Sequence, residues 1–341
     1  MKDDQARAFE TLEHWFGDRL RQHANSEDVG ASVLPLNTDD VRHLSQVAAR
    51  NGLSLLPIGA GTLPDDGSVD KANVIQVRFD LMSGMRLPDD DEGWVEAEPG
   101  ATWLRLDDEL RRRQRGLAVL PTSAPRATVG GWLATDGIGV GSFEYGRLYE
   151  NVLSASVVER GGELREVGSE ELGYFFGPGR ATSVVVGARL RTRHAGTDRI
   201  FAAAFENAQG LVGAVEDLVS SGAPLWHLAF VSPVMAAARG LRARYLLLGV
   251  LPSKRAGEEW WELRRRVLKD RGGTELDSQE ALRVWGERYF PVAPGHPTPS
   301  VAREFVPLAE LQPMLGDARP EDALQGTVSR SGEVLLLTLG G

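Results

Sequence analysis

Residues 128–146 read TVGGWLATDGIGVGSFEYG, and this stretch decides how the chain is interpreted. It holds six glycines in nineteen residues and shows almost no apolar periodicity. Glycine in an ordered segment costs conformational entropy, so a cluster this dense indicates positive φ angles or main chain that a ligand approaches closely. The wider segment 121–146 is also too long for a simple connection, and long ordered loops are usually functional. We therefore expect this part of the chain to be laid over a ligand.

Composition limits the kinds of function that the chain can have. Its 341 residues suit about two domains. The formal net charge of −10 argues against nucleic-acid binding, which needs a clustered cationic surface. The chain has no cysteine, so it forms no disulfide, no thiolate metal site, no iron–sulfur cluster of its own and no cysteinyl link to a cofactor. Any redox chemistry must therefore use an imported cofactor.

The sequence shows no targeting or membrane signal. The N-terminal residues lack the apolar core of a secretory signal, and no run approaches the roughly 20 apolar residues of a membrane span. We therefore expect a cytoplasmic protein with no direct membrane span, associated with a membrane only through partner proteins.

Two elements are predicted before the glycine-rich stretch. Apolar residues at helical spacing predict an amphipathic helix over residues 5–22, packed as a lid or strap. A short strand over residues 53–58 is expected to end in the turn 59–62, which consists of glycine, alanine and threonine. The N–H groups of such a turn can receive an anion, but similar turns are common without a ligand. On these residues alone both interpretations stay open.

Two hairpins are predicted around the glycine-rich stretch. The acidic residues 89–92 are expected to form a solvated loop between strands, because neighbouring carboxylates in such a connection diverge and cannot converge on a metal ion. Two further strands, residues 152–159 and 163–167, are joined at Gly161 and Gly162. A pair of glycines between two strand-like runs is a hairpin signal.

The motifs LPIGAGT, VEAEPGATWLRLDDEL, PTSAPRATVGGWLATDGIG, EYG and VVERGGELREV follow one another in this order. Together they resemble the FAD-binding domain of the vanillyl-alcohol oxidase or p-cresol methylhydroxylase (PCMH) type, and within that family the FAD-binding subunit of glycolate oxidase. The resemblance covers about residues 30–192 and implies an α+β fold. It implies an N-terminal helix (1–29), a two-subdomain PCMH-type FAD-binding domain (30–195) and a smaller α+β cap or substrate domain (196–341).

The resemblance also implies where FAD is held. An FAD site needs backbone N–H donors where side chains do not fit, with some small polar groups. Residues 58–62 would be the first pyrophosphate loop, and the glycine-rich stretch would line the cofactor on the other side, so a bulky residue at Gly130 should lower FAD occupancy. The implied cofactor-binding residues are Ile58, Gly59, Ala60, Gly61, Thr62, Thr122, Ser123, Ala127, Thr128, Gly130, Gly131, Thr135, Asp136, Gly139 and Val185.

The chain departs from the family pattern at three places. The family usually carries asparagine where this chain has Asp136, and a carboxylate beside a pyrophosphate is repelled unless it is protonated or turned away. Arg180 and Ser183 stand where glycines are expected, and Arg180 could either contact a phosphate or obstruct it. Neither predicted loop contains a histidine or cysteine that could anchor the flavin. The FAD is therefore expected to be non-covalent.

Catalytic residues are expected in the second half, where the signals are weak. Arg288 and Tyr289 could clamp a carboxylate substrate through the guanidinium fork and the phenol, or they could be a surface pair. His227 lies in an apolar run that is typical of a buried core residue. His296 stands alone in a proline-rich loop. No histidine and carboxylate spacing predicts a metal site.

Two functions of different class remain open. In the first, the chain is an FAD-dependent oxidoreductase that oxidises a 2-hydroxy acid or a related alcohol by hydride transfer to the flavin. In the second, it is a non-catalytic auxiliary flavin subunit, or a cofactor-free one, of a larger oxidase that contains a catalytic flavoprotein and an iron–sulfur subunit. A more distant option is another branch of the same fold, such as a sugar-lactone oxidase or the flavin reductase of peptidoglycan precursor synthesis.

Overall fold

A computed structural model describes residues 2–22, 30–61, 73–88, 92–175, 183–196, 198–252, 257–290 and 301–339. Among the sequence predictions, Thr62, Arg180, His296 and most of the acidic run 89–92 lie outside these described residues. The chain divides into two compact units. The first unit consists of Met1–Glu109, Ala124–Asp136 and Tyr149–Thr192, and the second of Leu110–Ser123, Gly137–Leu148 and Arg193–Gly341. The domain boundaries drawn from the sequence stay predictions.

Helices and strands alternate along the described chain. The α-helices are α1 (Lys2–Phe16), α2 (Thr38–Arg50), α3 (Trp103–Arg111), α4 (Val129–Leu133), α5 (Ser142–Tyr145), α6 (Leu172–Phe175), α7 (Ala208–Ser220), α8 (Pro233–Ala238), α9 (Glu258–Asp270), α10 (Ser278–Gly286) and α11 (Leu311–Asp317). Short 3₁₀ helices cover Gly17–Arg19, Tyr149–Asn151 and Leu308–Glu310. The strands are β1 (Leu20–Gln22), β2 (Ala31–Val33), β3 (Ser54–Ile58), β4 (Val74–Arg78), β5 (Met85–Arg86), β6 (Trp94–Ala97), β7 (Arg115–Leu117), β8 (Val152–Glu159), β9 (Leu164–Gly168), β10 (Ser183–His194), β11 (Asp198–Phe205), β12 (His227–Val231), β13 (Tyr245–Pro252), β14 (Thr274–Glu275), β15 (Val301–Pro307), β16 (Ala323–Val328) and β17 (Glu333–Leu339).

The first unit contains two sheets. One has the strand order β1-β2-β4-β3, in which β2, β4 and β3 run parallel and β1 is antiparallel to β2. The other follows the order β5-β6-β10-β8-β9 and is antiparallel. A shared core joins α1 and α2 to both sheets through buried residues such as Leu12, Leu44, Ile75 and Val158. This packing fixes the loop that follows β3, because β3 is held in register along β4.

The hairpin predicted at Gly161 and Gly162 is confirmed. β8 and β9 pair in antiparallel register, with Val158 opposite Leu164. Both glycines have positive φ, 104° and 88°, a conformation that most residues avoid.

The helix predicted over residues 5–22 is wrong at its C-terminal end. α1 ends at Phe16, because Gly17 takes a φ of 53°, and residues 20–22 form β1 instead. Leu12 and Phe16 are buried in the core of the first unit, and the expected role of this helix as a lid or strap stays a prediction.

The second unit is built on one seven-stranded antiparallel sheet of order β14-β11-β13-β12-β16-β17-β15. Alternate residues of its strands point to opposite faces, as strand geometry requires. Leu247 and Leu336 belong to a core that also contains residues of α7, α9 and α11, whereas Leu248 and Leu337 belong to one that contains residues of α8 and α10. Both faces of this sheet are therefore covered by helices. Among the described helices, none has the length and hydropathy needed to cross a membrane.

Candidate functional site

The structure brings together two segments that the sequence assigns to the cofactor. β3 ends at Ile58, and the turn that follows lies against the start of α4. A β-carbon added to Gly59 would lie 2.6 Å from Oγ1 of Thr128 and 3.3 Å from Cα of Gly131. One added to Gly131 would lie 3.7 Å from Cα of Gly59. Glycine at both positions therefore allows the two backbones to touch.

The hydrogen bonds of α4 show which of its N–H groups are already used. Thr128 is the N-cap, and its Oγ1 accepts the N–H of Gly131 at 3.3 Å. The N–H of Val129 donates to the carbonyl of Ala101 at 2.8 Å, and that of Gly130 donates to the carbonyl of Pro99 at 2.9 Å. The start of α4 therefore brings main-chain atoms and the Thr128 hydroxyl close to the turn. Its first N–H groups already donate to groups of the protein itself.

The turn after β3 offers free donors instead. Within the described ranges, no hydrogen bond uses the N–H of Ala60 or Gly61. Gly61 has a φ of 62°, and a β-carbon there would have open space around it. Adjacent unpaired N–H groups in a turn of this kind form an anion-binding concavity. The interpretation of residues 59–61 as an anion site, which the sequence left open, is thus favoured by the backbone.

A cavity of about 350 Å³ opens beside this turn. It is lined by Ile58, Gly59, Ala60, Phe79, Asp80, Ser83, Gly100, Thr102, Arg105, Arg126 and Thr128. Its one described carboxylate, Asp80, is bonded to Arg78 at 3.1 Å, an interaction that holds the pKa of Asp80 below its ordinary value although burial opposes the shift. Neither Arg105 nor Arg126 forms an ion pair with any residue of the described chain. The cavity therefore carries two positive charges that are not neutralised there.

The sequence interpretation missed both arginines. Arg105 is exposed on α3, and Arg126 is half-buried two residues before Thr128. The position of Arg126 inside the PTSAPRATVGG motif was the available signal for that residue. Nothing local distinguishes Arg105 from the other arginines of its helix, because its proximity to the cavity depends on tertiary packing.

The carboxylate of Asp136, the first departure from the family pattern, is bonded to the protein's own backbone. Its Oδ1 accepts the backbone N–H of Tyr149 at 3.2 Å. Its φ of 50° lies in the left-handed region that asparagine and aspartate tolerate better than most residues. The carboxylate therefore has a local role at the start of a 3₁₀ helix. The neighbouring Thr135 is also engaged, because its hydroxyl donates to the carbonyl of Trp132 at 3.2 Å.

Two of the glycines have a structural reason that does not involve a ligand. A β-carbon at Gly130 would lie 2.9 Å from Cβ of Pro99, and one at Gly139 would lie 2.0 Å from the carbonyl oxygen of Leu120. A β-carbon at Gly130 would therefore meet Pro99 first, and the expectation that a bulky side chain there lowers FAD occupancy stays a prediction. Part of the glycine cluster serves close packing of the chain on itself.

The remaining predicted residues are placed as follows. Ala127 is buried, and its carbonyl accepts the N–H of Trp103 at 3.2 Å. Val185 is buried in β10, opposite Val157 of β8. Thr122, Ser123 and Gly139 belong to the second unit, whereas all the other described cofactor residues belong to the first. Thr122 is buried and its carbonyl accepts the N–H of Phe290 at 2.8 Å.

The two candidate substrate residues are in contact. Nη2 of Arg288 donates to the hydroxyl of Tyr289 at 2.8 Å, and the guanidinium lies 4.1 Å from the centre of the Tyr289 ring. The prediction that His227 is a core residue is confirmed, since it is 1% exposed. Burial, together with the nearby Arg288, lowers the pKa of His227 to about 3. His227 is therefore neutral near pH 7 and accepts a proton poorly.

The residues of the first unit fit the anionic part of FAD. A pyrophosphate needs backbone donors at close range and a positive surrounding. Ala60 and Gly61 would provide the donors, the contact between Gly59 and Gly131 would provide close main chain, and Arg105 and Arg126 would provide the charge. The carboxylate of Asp136, which would oppose an anion, is bonded to Tyr149.

Comparison with known proteins agrees with this fit. Residues 30–168 match the family model described as an FAD binding domain. An alkyldihydroxyacetonephosphate synthase of Trypanosoma brucei brucei is 28% identical over 171 residues, which are 46% of this chain and 28% of that protein. A D-2-hydroxyglutarate dehydrogenase of Escherichia coli (strain K12) is 29% identical over 137 residues, which are 39% of this chain and 13% of that protein.

A solved structure shows the same fold over the whole chain. The crystal structure of p-cresol methylhydroxylase with substrate bound superimposes with a TM-score of 0.76 and 13% identity, and the match covers 100% of this chain and 84% of that one. The matches to the two curated relatives span less than a third of their length. The mixed α/β fold predicted from the sequence is confirmed. The chain therefore has a fold of the PCMH type, and its residues 30–168 are an FAD-binding domain whose cofactor is FAD.

Proposed function

We propose that this chain is an FAD-binding oxidoreductase, or the FAD-binding subunit of one, that oxidises a 2-hydroxy acid or a related alcohol in the manner of a glycolate oxidase. The observation that carries the proposal is the contact between the turn after β3 and the start of α4, beside a cavity with two unpaired arginines. A relative that matches residues of this domain is named as a dehydrogenase of a 2-hydroxy acid, which supports the substrate class.

Within this proposal each group of residues has a defined task. The N–H groups of Ala60 and Gly61 would bind the pyrophosphate, and Arg105 and Arg126 would balance its charge. The Thr128 hydroxyl would stand beside it. When bound, the flavin supplies the hydride acceptor. Arg288 would orient the carboxylate of the substrate, because a guanidinium presents parallel donors to a carboxylate.

We also propose that the FAD is held without a covalent bond. The chain has no cysteine, and the described residues of the turn after β3 and of the segment 121–131 include no histidine. Partner subunits, namely a catalytic flavoprotein and an iron–sulfur protein, belong to the same proposal, as does a cytoplasmic location with membrane association through those partners.

A second candidate is a non-catalytic flavin subunit of a larger oxidase. His227 favours it, because a buried histidine whose pKa is lowered to about 3 is a weak base for the substrate hydroxyl proton near neutral pH. The alternative predicts that FAD binds and that a substrate does not reduce it unless partner subunits are present.

Anaerobic reduction separates the two functions. The full chain is loaded with FAD, freed of unbound cofactor by gel filtration and mixed with glycolate, D-lactate or D-2-hydroxyglutarate. Loss of the flavin absorbance with one of these acids supports the oxidoreductase. A retained flavin that dithionite reduces and none of the acids does supports the auxiliary subunit. A protein that retains no FAD contradicts the oxidoreductase and the flavin-binding subunit, and it leaves the cofactor-free subunit as the remaining alternative.

A further inference from the structure

Buried guanidinium groups of the second unit are normally paired with a carboxylate. The side chain of Arg193 is 3% exposed and lies 2.6 Å from Asp198. That of Arg264 is 8% exposed and lies 2.7 Å from Glu275. This pairing is expected, since an isolated charge taken out of water costs several kcal/mol. Arginines that depart from the pattern therefore need an explanation.

Arg239 has no carboxylate partner among the described residues. It follows α8, and its Nη2 donates to Oε1 of Gln325 at 2.6 Å and to the carbonyl of Tyr289 at 3.2 Å, both of which are neutral groups. Its Nε is buried and has no partner among the described residues. Burial lowers the pKa of Arg239 to about 10, an effect that the exposed Glu287 opposes without forming an ion pair.

Arg288, at the end of α10, also has no carboxylate partner within the part of the chain that the structure describes. Its Nη1 donates to the carbonyl of Trp285 at 2.9 Å and its Nη2 to the hydroxyl of Tyr289. Its guanidinium lies over the ring of Trp285 at 4.0 Å. Its Nε is also buried and without a partner in the described part of the chain. The described groups that contact this charge are dipoles and aromatic faces.

One amide links the side chain of Arg239 to the main chain of Arg288. Gln325 on β16 is 3% exposed, and its Oε1 accepts from Arg239 while its Nε2 donates to the carbonyl of Arg288 at 3.0 Å. A buried amide with both ends bonded fixes the position of its partners. The neighbouring His227, whose ring centre lies 6.1 Å from that of Trp285, is neutral and adds no third charge.

We infer that Arg239 and Arg288 form the receptor for the carboxylate of a small organic acid. Neither guanidinium has a carboxylate partner among the described residues, and one flat anion with two oxygens would supply the missing negative charge to both. The indole of Trp285 offers an apolar surface to the carbon stem of that acid. The site extends the pair Arg288 and Tyr289 by a second cation, and only its assignment to a 2-hydroxy acid rests on the proposed function.

Tryptophan fluorescence tests the inference directly, because Trp285 lies against one of the two guanidinium groups. The full chain is titrated with D-lactate and, separately, with 1,2-propanediol, which has an uncharged hydroxymethyl group in place of the carboxylate. We expect saturable binding of D-lactate, with Arg239→Met weakening it at least tenfold and Arg239→Lys weakening it less. Arg330→Met is the matched control, because Arg330 is exposed, bonds the carbonyl of Ala223, and should leave the dissociation constant within twofold.

Three results would overturn the inference: equal binding by wild type and Arg239→Met, equal binding of the diol, or saturation by inorganic phosphate without any effect of D-lactate. If circular dichroism shows that Arg239→Met is unfolded, Arg288→Gln takes its place with the same expectation. Retention of FAD is measured on every variant. A wild-type chain that binds D-lactate and no FAD refutes the proposed function and leaves the inference standing. A wild-type chain that binds FAD and no D-lactate refutes the inference and leaves the proposed function standing.

Discussion

Replacing Gly59 by alanine should separate the two backbone segments that form the candidate FAD site. The added β-carbon would lie 2.6 Å from Oγ1 of Thr128, a distance that real β-carbons do not adopt, and 3.3 Å from Cα of Gly131. The first contact can be relieved if the Thr128 side chain turns away, at the cost of the helix cap, which is typically worth about 1 kcal/mol. The second contact is with backbone and requires a shift of a few tenths of an ångström.

The total strain is that of a modest overpacking, about 1–3 kcal/mol. In the apoprotein no ligand holds the segments together, so they can move apart. FAD binding must then restore the contact, and we expect the dissociation constant of FAD to rise about 5- to 150-fold, since 1.4 kcal/mol corresponds to a factor of ten. Quenching of flavin fluorescence on titration measures it.

Two further variants make this prediction specific. Gly168→Ala, at the end of β9 in the same unit, is the control, because a β-carbon there would meet nothing within 4 Å. In the double variant Gly59→Ala with Thr128→Ala the shorter contact is gone. Its loss of FAD affinity should therefore be smaller than the sum of the losses in the two single variants. Unchanged FAD affinity in Gly59→Ala, in a chain that melts like the wild type, would refute the reasoning.

Other predictions concern stability. Gly130→Ala places a β-carbon 2.9 Å from Pro99, so urea unfolding should show a loss of about 1–3 kcal/mol in the apoprotein, and an unchanged midpoint would contradict the packing role. Arg193→Met removes the bidentate bond to the half-buried Asp198, which keeps Arg111 at 3.5 Å, and we expect about 1.5–3 kcal/mol lower stability in the same assay; a loss below about 1 kcal/mol would be inconsistent with a strong bond between the two residues. Glu96, whose pKa is lowered to about 2 mainly by its hydrogen bond from Arg86, stabilises the fold above the unfolded-state pKa, and this contribution disappears as the pH falls from about 5 to 2. Thermal melts of Glu96→Gln should therefore depend less on pH in that window, and an equally steep dependence would argue against the assignment.

Local backbone chemistry was predictable from the sequence. The hairpin at Gly161 and Gly162 follows from glycine adopting positive φ, and both glycines have it. Asn37 caps α2 through its side chain, which accepts the N–H of Asp40 at 3.0 Å, as expected for a polar residue before an apolar helical pattern. These features depend on neighbouring residues only.

Features that depend on distant partners were not predictable. Trp15 lies three residues after the buried Leu12 in α1, yet it is 48% exposed and its Nε1 donates to Asp40. Leu20 lies inside the helix predicted over residues 5–22, yet it forms part of β1 and pairs with Val33 of β2. The helical pattern therefore could not show where α1 ends, because a strand partner more than ten residues away competes with it.

The sequence predicted which main-chain segments form the candidate site, but it did not predict the charged side chains around them. The motif spacing pointed to residues 58–61 and 128–131, which lie in contact. The sequence could not show that Gly139 faces the carbonyl of Leu120, because close packing and ligand approach both select glycine. Nor could it show that Arg239 and Arg288 share Gln325, a residue that no motif singles out.

The most direct test of the central claim is whether the chain retains FAD. The purified full chain is incubated with excess FAD, passed through gel filtration, and its absorbance is recorded from the protein band to the flavin bands. We predict flavin absorbance that coelutes with the protein at about one FAD per chain and that acid precipitation releases into solution, as a non-covalent cofactor requires. A folded, colourless chain after gel filtration would contradict the claim that the turn after β3 and the start of α4 form an FAD site.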